Sequence, residues 1–169
     1  MSESFLHYIW QLQYFDKKDL KTSDGEPINI MHQGHGNTDA GPDFLTAKVR
    51  IGNIDWAGSV EIHMDASSWM SHGHQNDPAY DNVILHVVWK NDAPVLRKDK
   101  THVPTLELQH RIAPDLIQQY KLLVNNPSSV PCEGSLHKVD QLTKLSMLDK
   151  ALMQRLESKA MHVTQLFQQ

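Results

Sequence analysis

Residues 44–64 read FLTAKVRIGNIDWAGSVEIHM, and this stretch decides the fold. Apolar and polar residues alternate through residues 44–51, which predicts a strand with one buried face. Gly52-Asn53 is a two-residue turn signal, and residues 54–64 continue as a second strand. The two strands are therefore expected to pair as an antiparallel hairpin.

Alternation along the second strand assigns its side chains to opposite faces of the sheet. Val60 and Ile62 share an apolar face with their neighbours, whereas Glu61 and His63 project together from the other face. Asp43 stands immediately before the first strand, and pairing about the turn puts it roughly opposite residue 62. Asp43 and Glu61 are therefore expected to lie within several ångströms of each other.

These residues are the candidate catalytic set, because two carboxylates that close repel each other unless a cation lies between them. Magnesium and manganese prefer such oxygen ligands, so Asp43 and Glu61 are the candidate metal ligands. His63 could then orient or deprotonate water, which completes the parts needed for metal-assisted phosphodiester hydrolysis. In the alternative interpretation, Asp43 is a turn residue, and Glu61 and His63 are exposed strand residues.

A second candidate group follows in the polar segment after this strand. His72 and His74 are separated by one residue, a spacing that can chelate zinc, and they could rim the same cleft as His63. A zinc-dependent hydrolase with ligands among His63, His72 and His74 therefore stays open as an alternative. His86 lies within an apolar run and is expected to be a hydrogen-bonded core histidine. The single cysteine, Cys132, excludes an internal disulfide and favours a reducing, cytoplasmic setting.

The rest of the chain supplies helices and further strands around this hairpin. The order predicts an α/β or α+β domain, with a mixed sheet flanked by helices and a C-terminal amphipathic helix. The expected elements are a helix over residues 2–15, a hairpin about Asp24-Gly25, strands over 82–90 and 103–110, and helices over 114–124 and 138–167.

Two regions are expected from this order. Residues 1–125 would form the α/β core, and residues 126–169 a linker and the long C-terminal helix. The helix over 138–167 carries an apolar stripe that needs a partner. That partner could be the sheet, a second copy of the chain in a homodimer, or a helical C-terminal region missing from this sequence.

Composition excludes some classes of protein. The chain has 169 residues, of which 40% are hydrophobic and 21% are charged, which fits an ordinary globular domain and excludes a wholly disordered one. No stretch approaches the roughly 20 apolar residues of a membrane helix. Residues 22–89 hold nine acidic residues against two basic ones, together with six of the 11 histidines, which favours a cation site over a phosphate site.

A long run of the sequence closely resembles a bacterial family of uncharacterised proteins, domain of unknown function 2851. That run is GPDFLTAKVRIGNIDWAGSVEIHMDASSWMSHGHQNDPAYDNVILHVV, and FLHYIWQLQYF, GHGNTDAGPDF and RLESKA are also similar. The resemblance covers essentially the whole chain and implies no established activity. Members of the family are longer than this chain, and their remainder looks helical.

A looser resemblance is to the PD-(D/E)xK nuclease superfamily. Pro42-Asp43 matches the first half of its motif, Glu61-Ile62-His63 matches the second half, and NVILHVV matches the expected fourth strand. This resemblance implies a restriction-endonuclease-like sheet that binds nucleic acid and hydrolyses its phosphodiesters. His63 replaces the usual lysine, so a non-catalytic interaction module with a degenerate site stays open as an alternative.

Overall fold

The computed structural model describes residues 2–126, 128, 130 and 132–166. The chain forms two units, Met1–Lys121 and Leu122–Gln169. Within the described part of the chain, no helix combines the length and the apolar character that crossing a bilayer requires.

The predicted class, a mixed α/β sheet with flanking helices and a C-terminal helix, is confirmed. The first unit carries the sheet, and the second unit carries a long helix. In chain order the helices and strands are α1 (Glu3–Leu12), β1 (Ile28–His32), β2 (His35–Gly36), β3 (Phe44–Ile51), β4 (Ile54–Asp65), α2 (Ser68–Ser71), β5 (Val83–Lys90), β6 (Thr105–Glu107), α3 (Pro114–Val124) and α4 (Gln141–Leu166). Short 3-10 turns cover His74–Asn76, Pro78–Tyr80 and Glu133–Lys138.

The sheet runs in the order β1-β3-β4-β5-β6, and β2 also pairs with β3. β1 and β4 both pair antiparallel with β3. β5 pairs parallel with β4, and β6 pairs parallel with β5. The central hairpin is confirmed, since Ile51 pairs with Ile54 around the Gly52-Asn53 turn. The first parallel pair begins at β4, which is the strand that carries Glu61 and His63.

A bulge in β3 sets the position of Asp43. Ala47 pairs with Gly58, but Phe44 pairs with Val60, so β3 carries one more residue than β4 over this interval. Thr46 lies within the bulge and has a φ of 59°, in the left-handed region. The extra residue shifts the register by one, and Asp43 therefore faces Glu61 rather than residue 62.

Each face of the sheet packs against its own layer. Helix α1 buries Phe5, Ile9 and Trp10 against the face that carries Val60 and Ile62. The opposite face is covered by a smaller apolar cluster of Ala66, Trp69, Val83, Val88, Val95 and Val103, with Tyr80 packed against it. Glu61, His63 and His86 are buried polar residues of these strands. The prediction that Val60 and Ile62 lie on the face opposite Glu61 and His63 is confirmed. Glu61 and His63 are therefore buried beneath the smaller apolar cluster.

Several element boundaries differ from the sequence expectations. Helix α1 ends at Leu12 because Gln13 adopts a left-handed conformation, with φ 56°. The hairpin expected about Asp24-Gly25 is reduced to one bridge between Lys21 and Pro27, and β1 pairs with β3 instead. The long C-terminal helix is confirmed as Gln141–Leu166, and residues 167–169 lie outside the described residues.

The apolar stripe of α4 is exposed to solvent. Among the leucines of α4 whose exposure is described, Leu142, Leu145, Leu148, Leu152 and Leu156 are each more than half exposed. The identity of the partner that covers this stripe stays a prediction.

Candidate metal centre

The structure brings Asp43 and Glu61 together through two hydrogen bonds between β3 and β4. The backbone N–H of Asp43 donates to Oε2 of Glu61 over 3.2 Å. The backbone N–H of Ile62 donates to Oδ2 of Asp43 over 2.8 Å. Each carboxylate is therefore held by an N–H group of the opposite strand, at the position where the bulge ends.

Two histidines approach the other oxygen of Glu61. Oε1 of Glu61 lies 3.5 Å from Nε2 of His63 and 3.3 Å from Nε2 of His74. Nε2 of His74 is buried, yet no group of the described residues meets it with hydrogen-bond geometry. This buried nitrogen therefore points towards an acidic oxygen and has no hydrogen-bond partner in the part of the chain that the structure describes.

His72 completes a group of three histidines with His63 and His74. Nδ1 of His72 lies 3.2 Å from Nε2 of His63. One ring nitrogen from each of the three residues lies within 4.8 Å of the other two, so the group could hold a metal ion. Around a tetrahedral zinc ion with bonds of about 2.0–2.1 Å, neighbouring ligand atoms are about 3.3–3.4 Å apart. The separation from Nε2 of His63 to Nδ1 of His72 is close to that value.

Burial controls the protonation of these groups. Burial, followed by the charge of the nearby Asp43 carboxylate, raises the pKa of Glu61 to about 8. Burial lowers the pKa of His63 to about 4, with His74 and His72 acting in the same direction. The pKa of His74 is also lowered, mainly by burial. At neutral pH His63 and His74 are therefore neutral imidazoles, which is the form that binds metals.

Aromatic rings hold the loop histidines in place. Tyr80 stacks on His74 with ring centroids 3.8 Å apart. Trp69 packs edge-on against His74 at 5.5 Å, and its indole N–H donates to the carbonyl of Leu96. Trp69 is buried and contacts both the ring of His74 and the carbonyl of Leu96. It therefore holds in place the segment that contains His72 and His74.

His86 lies beneath the three histidines, on β5. Its Nε2 is 2.7 Å from Nδ1 of His63, and the residue is fully buried. Burial lowers the pKa of His86 to about 3. The expectation of a hydrogen-bonded core histidine is confirmed, and the bonding partner is one of the candidate ligands.

Helix α1 contributes His7, which the sequence analysis missed. Nε2 of His7 lies 3.4 Å from Oδ2 of Asp43, and this nearby carboxylate raises the pKa of His7. Glu3 stands one helical turn earlier, and burial followed by the charge of Asp43 raises its pKa. The spacing of four residues between Glu3 and His7 puts both on one helix face, and that signal was available in the sequence.

Two arginines that follow β5, Arg97 and Arg111, make structural contacts. Arg97 donates to the carbonyls of His102 and Val83. Arg111 donates to the carbonyls of Asp16, Lys18 and Asp19. Both guanidinium groups therefore hold loops together.

Comparison with known proteins gives one match. A family model described as "Protein of unknown function (DUF2851)" matches residues 3–169. No curated protein and no solved structure matches the chain.

Proposed function

The chain belongs to the DUF2851 family, whose description assigns no activity, and from the geometry of the site we propose that it is a metal-dependent phosphodiester hydrolase. The observation that carries this proposal is the convergence of His63, His72 and His74 beside Glu61. Three protein ligands with one position left open are typical of catalytic zinc sites. The unpartnered Nε2 of His74 supports the same conclusion, because a bound ion would satisfy that buried atom.

Zinc is the ion that this donor set favours. Imidazole nitrogen suits zinc and related transition metals, whereas magnesium prefers an all-oxygen octahedral shell. Asp43 stands on the other side of Glu61, where its Oδ2 faces the N–H of Ile62 and the ring of His7. Because its backbone N–H donates to Oε2 of Glu61, Asp43 is proposed as the residue that positions Glu61. Manganese is the second choice of ion.

Glu61 is the proposed proton acceptor. A bound zinc ion supplies Lewis acidity, which polarises a phosphoryl oxygen and makes a nearby water more acidic. Oε2 of Glu61 is held by the N–H of Asp43, so Oε1 faces the histidines and can take the proton of the attacking water. A bound cation beside this carboxylate would favour its ionised form, which is the form that accepts a proton.

A nucleic-acid phosphodiester is the proposed substrate. Three antiparallel strands, β1, β3 and β4, are followed by a parallel strand, β5, which is the order that the nuclease resemblance implies. The Pro42-Asp43 pair lies beside Glu61, as that resemblance also implies. Lys90, Lys98 and Lys100 are the proposed contacts to the phosphate backbone, since Arg97 and Arg111 are held by backbone carbonyls.

The test is hydrolysis of bis(4-nitrophenyl) phosphate and of fluorescent single- and double-stranded DNA, with zinc, manganese or magnesium added. Removing a general base costs about 10²–10⁴-fold in rate, so the Glu61→Gln variant should lose at least 100-fold. Asp55→Asn is the matched control, because Asp55 lies on the same strand but is exposed and pairs with Arg50. Absence of hydrolysis by the zinc-loaded protein, with DNA binding retained, would instead support a non-catalytic interaction module.

A further inference from the structure

His86 is fully buried, and within the described ranges only one of its two ring nitrogens has a hydrogen-bond partner. Nδ1 of His86 is buried and has no partner among the described residues. Buried polar groups are normally satisfied, so a half-satisfied histidine needs an explanation beyond packing. An apolar side chain of similar shape at this position of β5 would fill the same space but would leave Nδ1 of His63 without a partner.

We propose that His86 is a positioning residue, which accepts a hydrogen bond from Nδ1 of His63 and so keeps Nε2 of His63 free to bind a metal ion. The inference rests on the proposed metal centre and assigns a role to a residue outside its ligand set.

The geometry leaves two arrangements of hydrogen atoms. Nδ1 of His63 and Nε2 of His86 are 2.7 Å apart, so a single hydrogen lies between the two neutral rings. If His86 donated that hydrogen, His63 would carry its own hydrogen on Nε2, which could then not bind a metal ion. If His63 donates, its Nε2 is a bare lone pair.

The position of Nε2 selects the second arrangement for the metal-bound protein. This nitrogen lies 3.2 Å from Nδ1 of His72 and 3.5 Å from Oε1 of Glu61, and it therefore faces the other candidate ligands. Metal-binding histidines commonly donate their second N–H to a fixed acceptor, which sets the tautomer and the ring orientation. His86 supplies that acceptor from the neighbouring strand.

The surroundings of His86 hold its ring in place. His86 pairs in register with Glu61 across β4 and β5, so its side chain shares the face of the sheet that carries His63. The ring of Trp69 packs against it with centroids 5.5 Å apart. With the backbone and one ring face both fixed, Nε2 of His86 stays directed at Nδ1 of His63.

The test compares zinc binding by the full chain with that of two variants, His86→Phe and His86→Gln. Loss of such a supporting partner costs about 10- to 100-fold in metal affinity, which is the loss expected for the Phe variant. A glutamine can still accept a hydrogen bond near the position of Nε2, so His86→Gln should recover most of the affinity. The thermal midpoint of each metal-free variant is measured first, because the Phe variant leaves the buried N–H of His63 without an acceptor and must still be folded when its zinc affinity is compared.

A second measurement uses the wild-type protein alone. Long-range proton–nitrogen NMR of the zinc-loaded chain should show the ring hydrogen of His63 on Nδ1. A hydrogen on Nε2, or unchanged zinc affinity in the Phe variant, would overturn the role of His86 while leaving the metal centre intact. Failure of the wild type to bind zinc would overturn the metal centre, and this inference with it.

Discussion

The backbone N–H of Asp43 donates to Oε2 of Glu61 over 3.2 Å, although the two residues are 18 positions apart. This bond turns the other oxygen of Glu61 towards His63 and His74. It exists because the bulge in β3 shifts the register by one residue. A local irregularity of one strand therefore determines where the carboxylate of the next strand points.

Strain at the bulge should be measurable as a loss of stability. A left-handed backbone conformation costs roughly 1–2 kcal/mol for an ordinary L-residue, and asparagine tolerates it better than the β-branched threonine. We expect Thr46→Asn to raise the free energy of unfolding by roughly 1 kcal/mol, measured by urea denaturation. Thr38→Asn is the control, because Thr38 is exposed and lies outside the positive-φ positions. A lower stability for the Thr46 variant would count against strain at this site.

The contact between β4 and β5 leaves no space for a side chain at Gly58. A Cβ atom there would lie 2.5 Å from the carbonyl oxygen of Asn82 and 2.5 Å from Cγ2 of Ile84. The Gly58→Ala variant should lose about 1–3 kcal/mol of stability, as overpacked cores do. Gly36→Ala is the control, since its Cβ would meet only a Phe44 ring atom at 3.9 Å. Equal melting temperatures for the two variants would contradict the close approach of these strands.

Glu61 should make the metal-free protein less stable as the pH rises. Its folded pKa of about 8 lies above the ordinary value of 4.5. The stabilisation of the neutral carboxyl is therefore complete below pH 4.5 and is lost as the pH rises through 8. In the presence of a chelator, the free energy of unfolding should fall relative to that of Glu61→Gln between pH 5.5 and 8, within that window. A constant difference between the two proteins would mean that Glu61 is ionised throughout.

His86 should have the opposite pH dependence. Its folded pKa of about 3 lies below the ordinary value of 6.5, because burial disfavours the imidazolium. Its contribution to stability is present above pH 6.5 and is lost as the pH falls through 3. The His86→Phe variant should therefore resist acid unfolding better than the wild type, as followed by circular dichroism. Identical acid transitions would show that His86 is not buried in its neutral form.

Local periodicity and the turn signal predicted the hairpin. Periodicity also predicted which side chains of β4 lie on each face of the sheet, because successive side chains of a strand point to opposite faces. It could not predict the bulge, since Thr46 carries no glycine or proline signal there. The sequence suggested that His72 and His74 share a cleft with His63, but periodicity could not predict the contact of His72 with His63 or of His74 with Glu61. These contacts depend on Trp69, which anchors the loop through the distant Leu96 carbonyl. The arrangement of the site thus depends on contacts between residues far apart in sequence, whereas the strands can be predicted from the local alternation of polar and apolar residues.

Isothermal titration calorimetry with zinc most directly tests whether the three histidines form a metal centre. The wild type should bind one zinc ion per chain, and the double variant His72→Ala/His74→Ala should show no binding at zinc concentrations that saturate the wild type. His32→Ala/His35→Ala is the matched control, because these histidines form a separate pair with ring centroids 5.0 Å apart. This control should bind as the wild type does. Undiminished zinc binding by the His72→Ala/His74→Ala variant, or no binding by the wild type, would contradict a metal centre at these residues.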